Sequence, residues 1–261
     1  MIALSQVRFL RLDQEVIASR LKDMPKGDDK REAKLKEVFL AAGCDKSNLR
    51  EQVIKYARHP NVMCVMPGNS DRVIVVGAHF DHVEMGSGAV DNWSGASLLP
   101  SLLQSLSQER RSHTFIFIGF SDEELGMVGS RFYVHALTAE ERARIDAMIN
   151  MDTLGLANSE VWQSHADDRL VRIAAMVSHA MNLPLSAVNV DRVGSTDSES
   201  FREKKIPSIT FHSITQETLP ILHTDKDQLP AVNLEHLYES YKLIAAYLAY
   251  LDTAQILENK Q

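Results

Sequence analysis

Cysteine is nearly absent from this chain of 261 residues: Cys44 and Cys64 are the only two. Two thiols cannot build a disulfide framework or a cysteine-rich zinc site, so any metal must rely on His, Asp and Glu. The two thiols are expected to be free, with one disulfide between them as the alternative. Long apolar runs are also missing. No segment approaches the roughly 18 apolar residues needed to span a bilayer, and no membrane partner is expected. The opening MIALSQVRFLRLDQEV has no unbroken apolar stretch and no small-residue cleavage site, so the chain reads as cytoplasmic; a chain trimmed of a signal peptide would read the same and be secreted or periplasmic. Basic runs are lacking too, and the net charge of -7 argues against a nucleic-acid surface.

What is present is ordinary for a folded globular protein, 44% apolar and 24% charged. At this length an α/β protein is commonly one domain. Residues 9–42 read as two helices, with Leu12, Val16 and Leu21 spaced in the first and Leu35, Val38, Phe39 and Ala42 in the second. Met24-Pro25-Lys26-Gly27 breaks them. The charges of 28–37 alternate in sign, which implies a solvated face. A third short helix is expected over Asn48–Ala57.

Then βα alternation begins. Val62–Met66 and Arg72–Ala78 read as strands, Gly95–Leu106 as a helix, and Thr114–Phe120 (TFIFIGF) as a fully buried strand. A helix over Leu125–Leu137, a strand at Ile145–Met151 and a short strand at Glu160–Gln163 follow. Asp168–Met181 reads as a helix, Ser186–Val190 as a strand, Asp197–Glu203 as a short helix and Pro207–His212 as a last inner strand. The final helix, Val232–Leu251, carries Leu234, Leu237, Tyr241, Ile244, Leu248 and Leu251; it is expected to cover the sheet, with a seam for a partner helix as the alternative. No repeat, low-complexity tract or linker interrupts the chain. The expected architecture is a single-domain three-layer αβα sandwich around a central mixed, mostly parallel β-sheet, spanning 1–261 with 1–60 as a helical segment packed on it.

Open α/β sheets place chemistry outside the carboxyl ends of their strands, and there this sequence concentrates acids and histidines. His79 and Asp81 end a strand two residues apart, so both face one side. A metal-binding imidazole usually has its second nitrogen held by a carboxylate or carbonyl, and Asp81 suits that role for His79. His82 points to the other face and reads as a polar neighbour. Asp91 precedes a helix; it is either an N-cap or a carboxylate whose two oxygens bridge two metals. Glu123 and Glu124 follow a wholly apolar strand. Adjacent carboxylates there repel unless something positive lies close. In a metal site they divide the work, one ligating and one accepting a proton from water; otherwise they are acids at a helix start. Asp152 ends another strand, and His223 lies in a loop before the last helix. This oxygen-rich set with two histidines suits Zn2+, with Mn2+ or Co2+ as substitutes.

The series His79-x-Asp81, Asp91-Asn92-x-Ser94-Gly95, Glu123-Glu124, Met151-Asp152 and His223-Thr224 resembles the co-catalytic dizinc aminopeptidases of the bacterial leucyl aminopeptidase type, whose relatives include glutamate carboxypeptidase and glutaminyl cyclase. The resemblance runs in order from Val73 to Leu229. It implies that His79 and Asp152 hold one zinc, that Glu124 and His223 hold the other, and that Asp91 bridges them, with a cis peptide to Asn92. It implies Glu123 as general base and Asp81 as the support of His79. The implied reaction removes an N-terminal residue from a peptide or amino-acid amide substrate. Cyclase and carboxypeptidase activities are the alternatives on the same fold, the latter needing a cation such as Arg192; a receptor-like homologue without activity is a further one. Trp93 stands where the family often has Ala, and is expected to reshape the entrance or to pack beneath it. Thr196-Asp197-Ser198 replaces a usual Ser-Asp-His, while Phe201 and Ile206-Pro207 follow the pattern. Substrate contacts, side-chain preference and oligomeric state are not implied, and the first 60 residues match nothing in the family pattern.

Overall fold

The computed structural model describes residues 7–189 and 194–258, with side chains to 253. Val190 and Arg192, which figured in the expectations above, lie outside the described residues. Among the described residues, eight strands form one sheet in the order β1-β2-β4-β3-β5-β8-β6-β7: β1 Leu49–Gln52, β2 Asn61–Met66, β3 Val73–His79, β4 Thr114–Phe120, β5 Ile145–Met151, β6 Ser159–Trp162, β7 Leu185–Val188 and β8 Ser208–His212. The helices are α1 Gln14–Lys22, α2 Asp28–Ala41, α3 Ser94–Ala96, α4 Leu98–Leu106, α5 Val128–Ala136, α6 Ala139–Arg144, α7 Asp168–Met181, α8 Ser198–Arg202 and α9 Leu234–Glu258. The central strands β4, β3, β5 and β8 run parallel, with β2 antiparallel to β4 and β6 antiparallel to β8. Four strands therefore deliver their carboxyl ends to one edge.

Each central strand is apolar on both sides because both faces are covered. Ile74, Val76 and Ala78 of β3 join Phe115 and Phe117 of β4 in the larger core, which includes Leu35 and Phe39 of α2, Leu99 and Leu103 of α4, and Leu237 and Ile244 of α9. Val75, Ile118, Phe120 and Met148 point the other way, onto Tyr133 and Val134 of α5 and Phe201 of α8. Gly77 is required on this second face: a Cβ there would lie 2.4 Å from the Phe120 ring and 2.9 Å from Met148 Cε. The last helix covers the sheet as expected, its Leu237, Tyr241, Ile244 and Leu248 fully buried.

Some expectations fail. Residues 49–52 form an edge strand instead of a helix, pairing Leu49 with Cys64 and Gln52 with Asn61. The sequence LREQ has no strand signal of its own, and tertiary pairing overrides local preference. Cys44 and Cys64 are joined in a disulfide and are not free, because the end of α2 sits over β2 with the two Cα atoms 6.2 Å apart. The helix expected from Leu125 begins at Val128; residues 123–127 first make a turn in which the Gly126 and Met127 N–H groups donate to the Glu123 carbonyl. That turn leaves Glu123 and Glu124 outside the helix. Helix α6 was not anticipated, although Thr138 and Glu141 form a capping box at its start. The alternating charges of α2 are not all solvated, since Arg31 is fully buried.

Candidate metal centre

His79 ends β3, Glu123 and Glu124 follow β4, and Asp152 follows β5, so parallel pairing places them on adjacent strand ends. Asp91 and His223 arrive on loops. The distances bring the six together. His79 Nε2 lies 3.2 Å from Asp91 Oδ1 and 3.6 Å from Asp152 Oδ1. His223 Nε2 lies 3.2 Å from Asp91 Oδ2 and 3.1 Å from Glu124 Oε2. The two oxygens of Asp91 thus face different histidines. Potential ligand atoms within 4.8 Å of one another fall into three groups: His79, Asp91 and Asp152; Asp91, Glu124 and His223; and His79, Glu123 and Glu124.

Asp81 lies behind His79. The Nδ1 atom of His79 is 3.3 Å from the Asp81 carbonyl oxygen and 3.5 Å from Asp81 Oδ1, so the main chain is the nearer support. The other oxygen, Oδ2, accepts the Glu124 N–H at 3.1 Å, which ties the end of β3 to the loop after β4. His82 faces away and pairs with Asp28 Oδ1 at 2.7 Å.

The loop carrying Asp91 is held from several sides. Its peptide bond to Asn92 is cis. Asn92 Nδ2 donates to the Met151 carbonyl at 2.8 Å, while its Oδ1 accepts from Gly95 and Thr153 N–H at 3.0 and 3.2 Å. Asp227 accepts the Val90 N–H at 2.8 Å and the Asp91 N–H at 3.1 Å. Buried Arg31 reaches in from α2 and donates to the carbonyls of Phe80, Ser87 and Gly88. The Trp93 ring lies under that guanidinium, 5.7 Å away, and its Nε1 donates to the Arg20 carbonyl at 3.2 Å. Of the two expectations for Trp93, packing beneath holds: the residue is fully buried and fixes the loop to the N-terminal helices.

Sequence reasoning missed Asp227 and Arg31, and it noted Thr196 only as a departure from the family pattern, without its contact to Asp152. Thr196 Oγ1 donates to Asp152 Oδ2 at 2.8 Å and accepts from Asn150 Nδ2 at 2.6 Å. The only available signal for Asp227 was its place four residues after His223. Arg31 had none, because its partners lie 49 to 57 residues away.

The electrostatics calls for cations. Burial alone would push His79 down, yet its bonds to Asp152, Asp81 and Asp91 lift it well above its usual range. Hydrogen bonds from His223 to Asp91 and Glu124 raise that imidazole to about 10. Burial raises Glu123 well above the ordinary carboxylate range, with Asp197, Asp152 and Asp91 adding to the effect. Burial raises Glu124 as well, and fully buried Asp197 is pushed up to about 7. Asp91 goes the other way: burial would raise it, but His223 and His79 hold it far below. Among the described residues, Glu124 Oε1 is buried with no hydrogen-bond partner. Crowded carboxylates, imidazoles that must protonate to satisfy them, and an unpartnered buried oxygen fit a site for divalent cations. One imidazole and two carboxylates in each of two groups, sharing Asp91, match two zinc ions in donor type.

Beside these groups opens a cavity of about 270 Å³, walled by Trp162, Thr210, His212, Ile214, Leu219 and Leu222. It connects the candidate ligands to a largely apolar recess.

A parallel-centred sheet with carboxylates and histidines gathered at its strand ends has the architecture of zinc-exopeptidase-like α/β proteins. Residues 61–248 match the peptidase family M28, and the chain belongs to that family. The Bacillus subtilis (strain 168) aminopeptidase YwaD is 29% identical over 181 residues, 67% of this chain and 40% of YwaD. The solved structure of BSAP, a zinc aminopeptidase from Bacillus subtilis, superposes with a TM-score of 0.68 and 25% identity, over 74% of this chain and 50% of BSAP. This chain therefore spans about half or less of the length of these relatives. An Acidobacteriales bacterium glutaminyl cyclase, 16% identical, superposes with a TM-score of 0.81 over 97% of this chain and 99% of its own. At that identity the likeness shows the fold alone, including the N-terminal helices.

Proposed function

We propose that this chain is a metallo-aminopeptidase that removes N-terminal residues from peptides or amino-acid amides. The observation that carries the reading is Asp91, whose two oxygens face His79 on one side and His223 on the other. His79, Asp152 and Asp91 would hold one zinc ion, and Glu124, His223 and Asp91 the second. When bound, the pair would supply Lewis acidity to the scissile carbonyl and lower the pKa of water; Mn2+ or Co2+ could substitute.

The protein's own groups do the rest. Glu123 stands beside both candidate metal groups, and its carboxylate takes the proton from the attacking water and hands it to the leaving amine nitrogen. A half-buried carboxylate beside both groups suits a role that must both accept and release a proton. Asp81 and its carbonyl orient His79, and Thr196 orients Asp152. The acidic surroundings favour a protonated α-amino group on the substrate. The recess beside Ile214, Leu219 and Leu222 suits an apolar first side chain.

The relatives named as aminopeptidases support this reading. The fold shared with a glutaminyl cyclase keeps cyclisation as the second reading. For a carboxypeptidase, the described residues lining the cavity include no Arg or Lys to clamp a terminal carboxylate. Among the described residues no helix is long and apolar enough to cross a membrane. The Cys44–Cys64 disulfide supports a secreted or periplasmic location over a cytoplasmic one, which cell fractionation would check.

The test is a panel of leucyl, methionyl and glutaminyl amides and short peptides with free or acetylated N-termini. Hydrolysis of the free amines alone is expected. Cleavage from the carboxyl end, or release of pyroglutamyl product without hydrolysis of the other amides, would overturn the aminopeptidase reading.

A further inference from the structure

The opposite edge of the sheet carries a second constellation. Arg72, which precedes β3, Arg142 of α6, Arg169 of α7, and Lys204 and Lys205 after α8 line a cavity of about 430 Å³ at the amino ends of β3, β5 and β8. These five cations converge although the chain as a whole carries a net charge of -7. Asp146, at the start of β5, is the only carboxylate among the described lining residues. It is engaged by Arg72 through two N–H groups and by His113 Nε2 at 3.1 Å. Both lysines are exposed.

The guanidinium groups are placed in advance by main-chain acceptors. Arg72 Nη1 donates to the Ala143 carbonyl at 2.8 Å, Arg142 Nη1 to the Leu137 carbonyl, and Arg169 Nη2 to the Asp146 carbonyl at 3.4 Å. Each fork keeps further N–H donors for another group, and an arginine fixed in this way loses less freedom on gripping a planar or tetrahedral oxyanion. Lys205 sits at the bend that turns the chain from α8 into β8, with a φ of 60°. Crowding five positive charges around one concavity costs electrostatic energy unless an anion is shared between them. The volume is in the ordinary range for a small ligand, and a surplus of four positive charges matches a multiply charged anion better than a monocarboxylate.

We infer that this cavity is a binding site for a small molecule carrying a phosphoryl group. The site is distinct from the candidate metal centre. It lies at the other end of β3, roughly 20 Å away at the ~3.3 Å rise of each strand residue, and it stands whether or not the peptidase reading holds.

Calorimetric titration of the metal-loaded protein with inorganic pyrophosphate tests the inference, with citrate as the non-phosphoryl comparison. The expected result is one saturable pyrophosphate site that binds pyrophosphate at least about tenfold more tightly than citrate. The charge-reversed double variant Arg142→Glu with Lys205→Glu should weaken that site by about tenfold or more, a loss of ~1.4 kcal/mol or more. Both side chains are at least partly exposed, so an unchanged melting temperature without ligand would show that the variant is folded. Absence of binding would overturn the inference, as would equal binding of citrate. Binding that survives in the variant would place the anion at the metal centre instead and overturn it equally.

Discussion

Asp227 holds Asp91 by its main chain. The Asp227 carboxylate accepts the Asp91 N–H at 3.1 Å through one oxygen and the Val90 N–H at 2.8 Å through the other. The residue that faces both histidines is thus positioned by a carboxylate only four places beyond one of them, His223. Asp227→Asn replaces one acceptor by a donor facing an N–H. The variant is expected to fold and to bind zinc about 10–100-fold more weakly, the usual consequence of losing a group that orients a ligand. Competitive titration against a zinc chelator would read this directly; unchanged affinity would remove Asp227 from the account.

Glu123→Gln separates chemistry from ligation. With the proton acceptor removed and the shape kept, turnover should fall by about 10²–10⁴-fold while KM and metal content stay close to those of the parent. Loss of metal together with activity would make Glu123 a ligand rather than a base.

The disulfide closes a loop with a sequence separation of 20. Replacing both Cys44 and Cys64 by Ser should lower stability by about 3 kcal/mol through the freedom restored to the unfolded chain. Urea unfolding of the parent with and without reductant should give the same difference. A variant as stable as the parent would show that the link contributes nothing.

His212 is expected to make stability fall in mild acid. Burial holds its pKa down to about 4, below the ordinary 6.5, and its Nδ1 accepts the Ile214 N–H at 3.2 Å. Above pH 6.5 the ring is neutral in both states and adds no pH dependence. Between 6.5 and 4 the unfolded chain takes up a proton that the folded chain refuses, so stability declines across that window, by ~3 kcal/mol at most. His212→Gln should flatten this part of the pH profile in urea titrations at pH 7 and 4.5. An unchanged slope would assign the acid sensitivity to other groups.

The candidate site was legible because its information is local. Continuous apolar runs identified β3, β4 and β5, and each carries its polar cargo at or just past its carboxyl end, at His79, Glu123 and Asp152. What holds the site was not legible, because its causes are distant in sequence. Arg31 looked like one more charge on a solvated helix until three carbonyls from residues 80–88 closed around it. Trp93 could not be placed without knowing that α1 and α2 lie over its loop. The edge strand β1 and the disulfide depended on which strand would face residues 44–52. The basic cavity draws on positions 72, 142, 169, 204 and 205, a set that no window of sequence contains.

The central claim is that Asp91 is shared by two metal ions. Elemental analysis of the purified protein, repeated on His79→Ala and His223→Ala, tests it most directly. Two zinc ions per chain are expected in the parent and one in each variant, with peptidase activity depleted in both. One ion or none in a fully active parent would contradict the account.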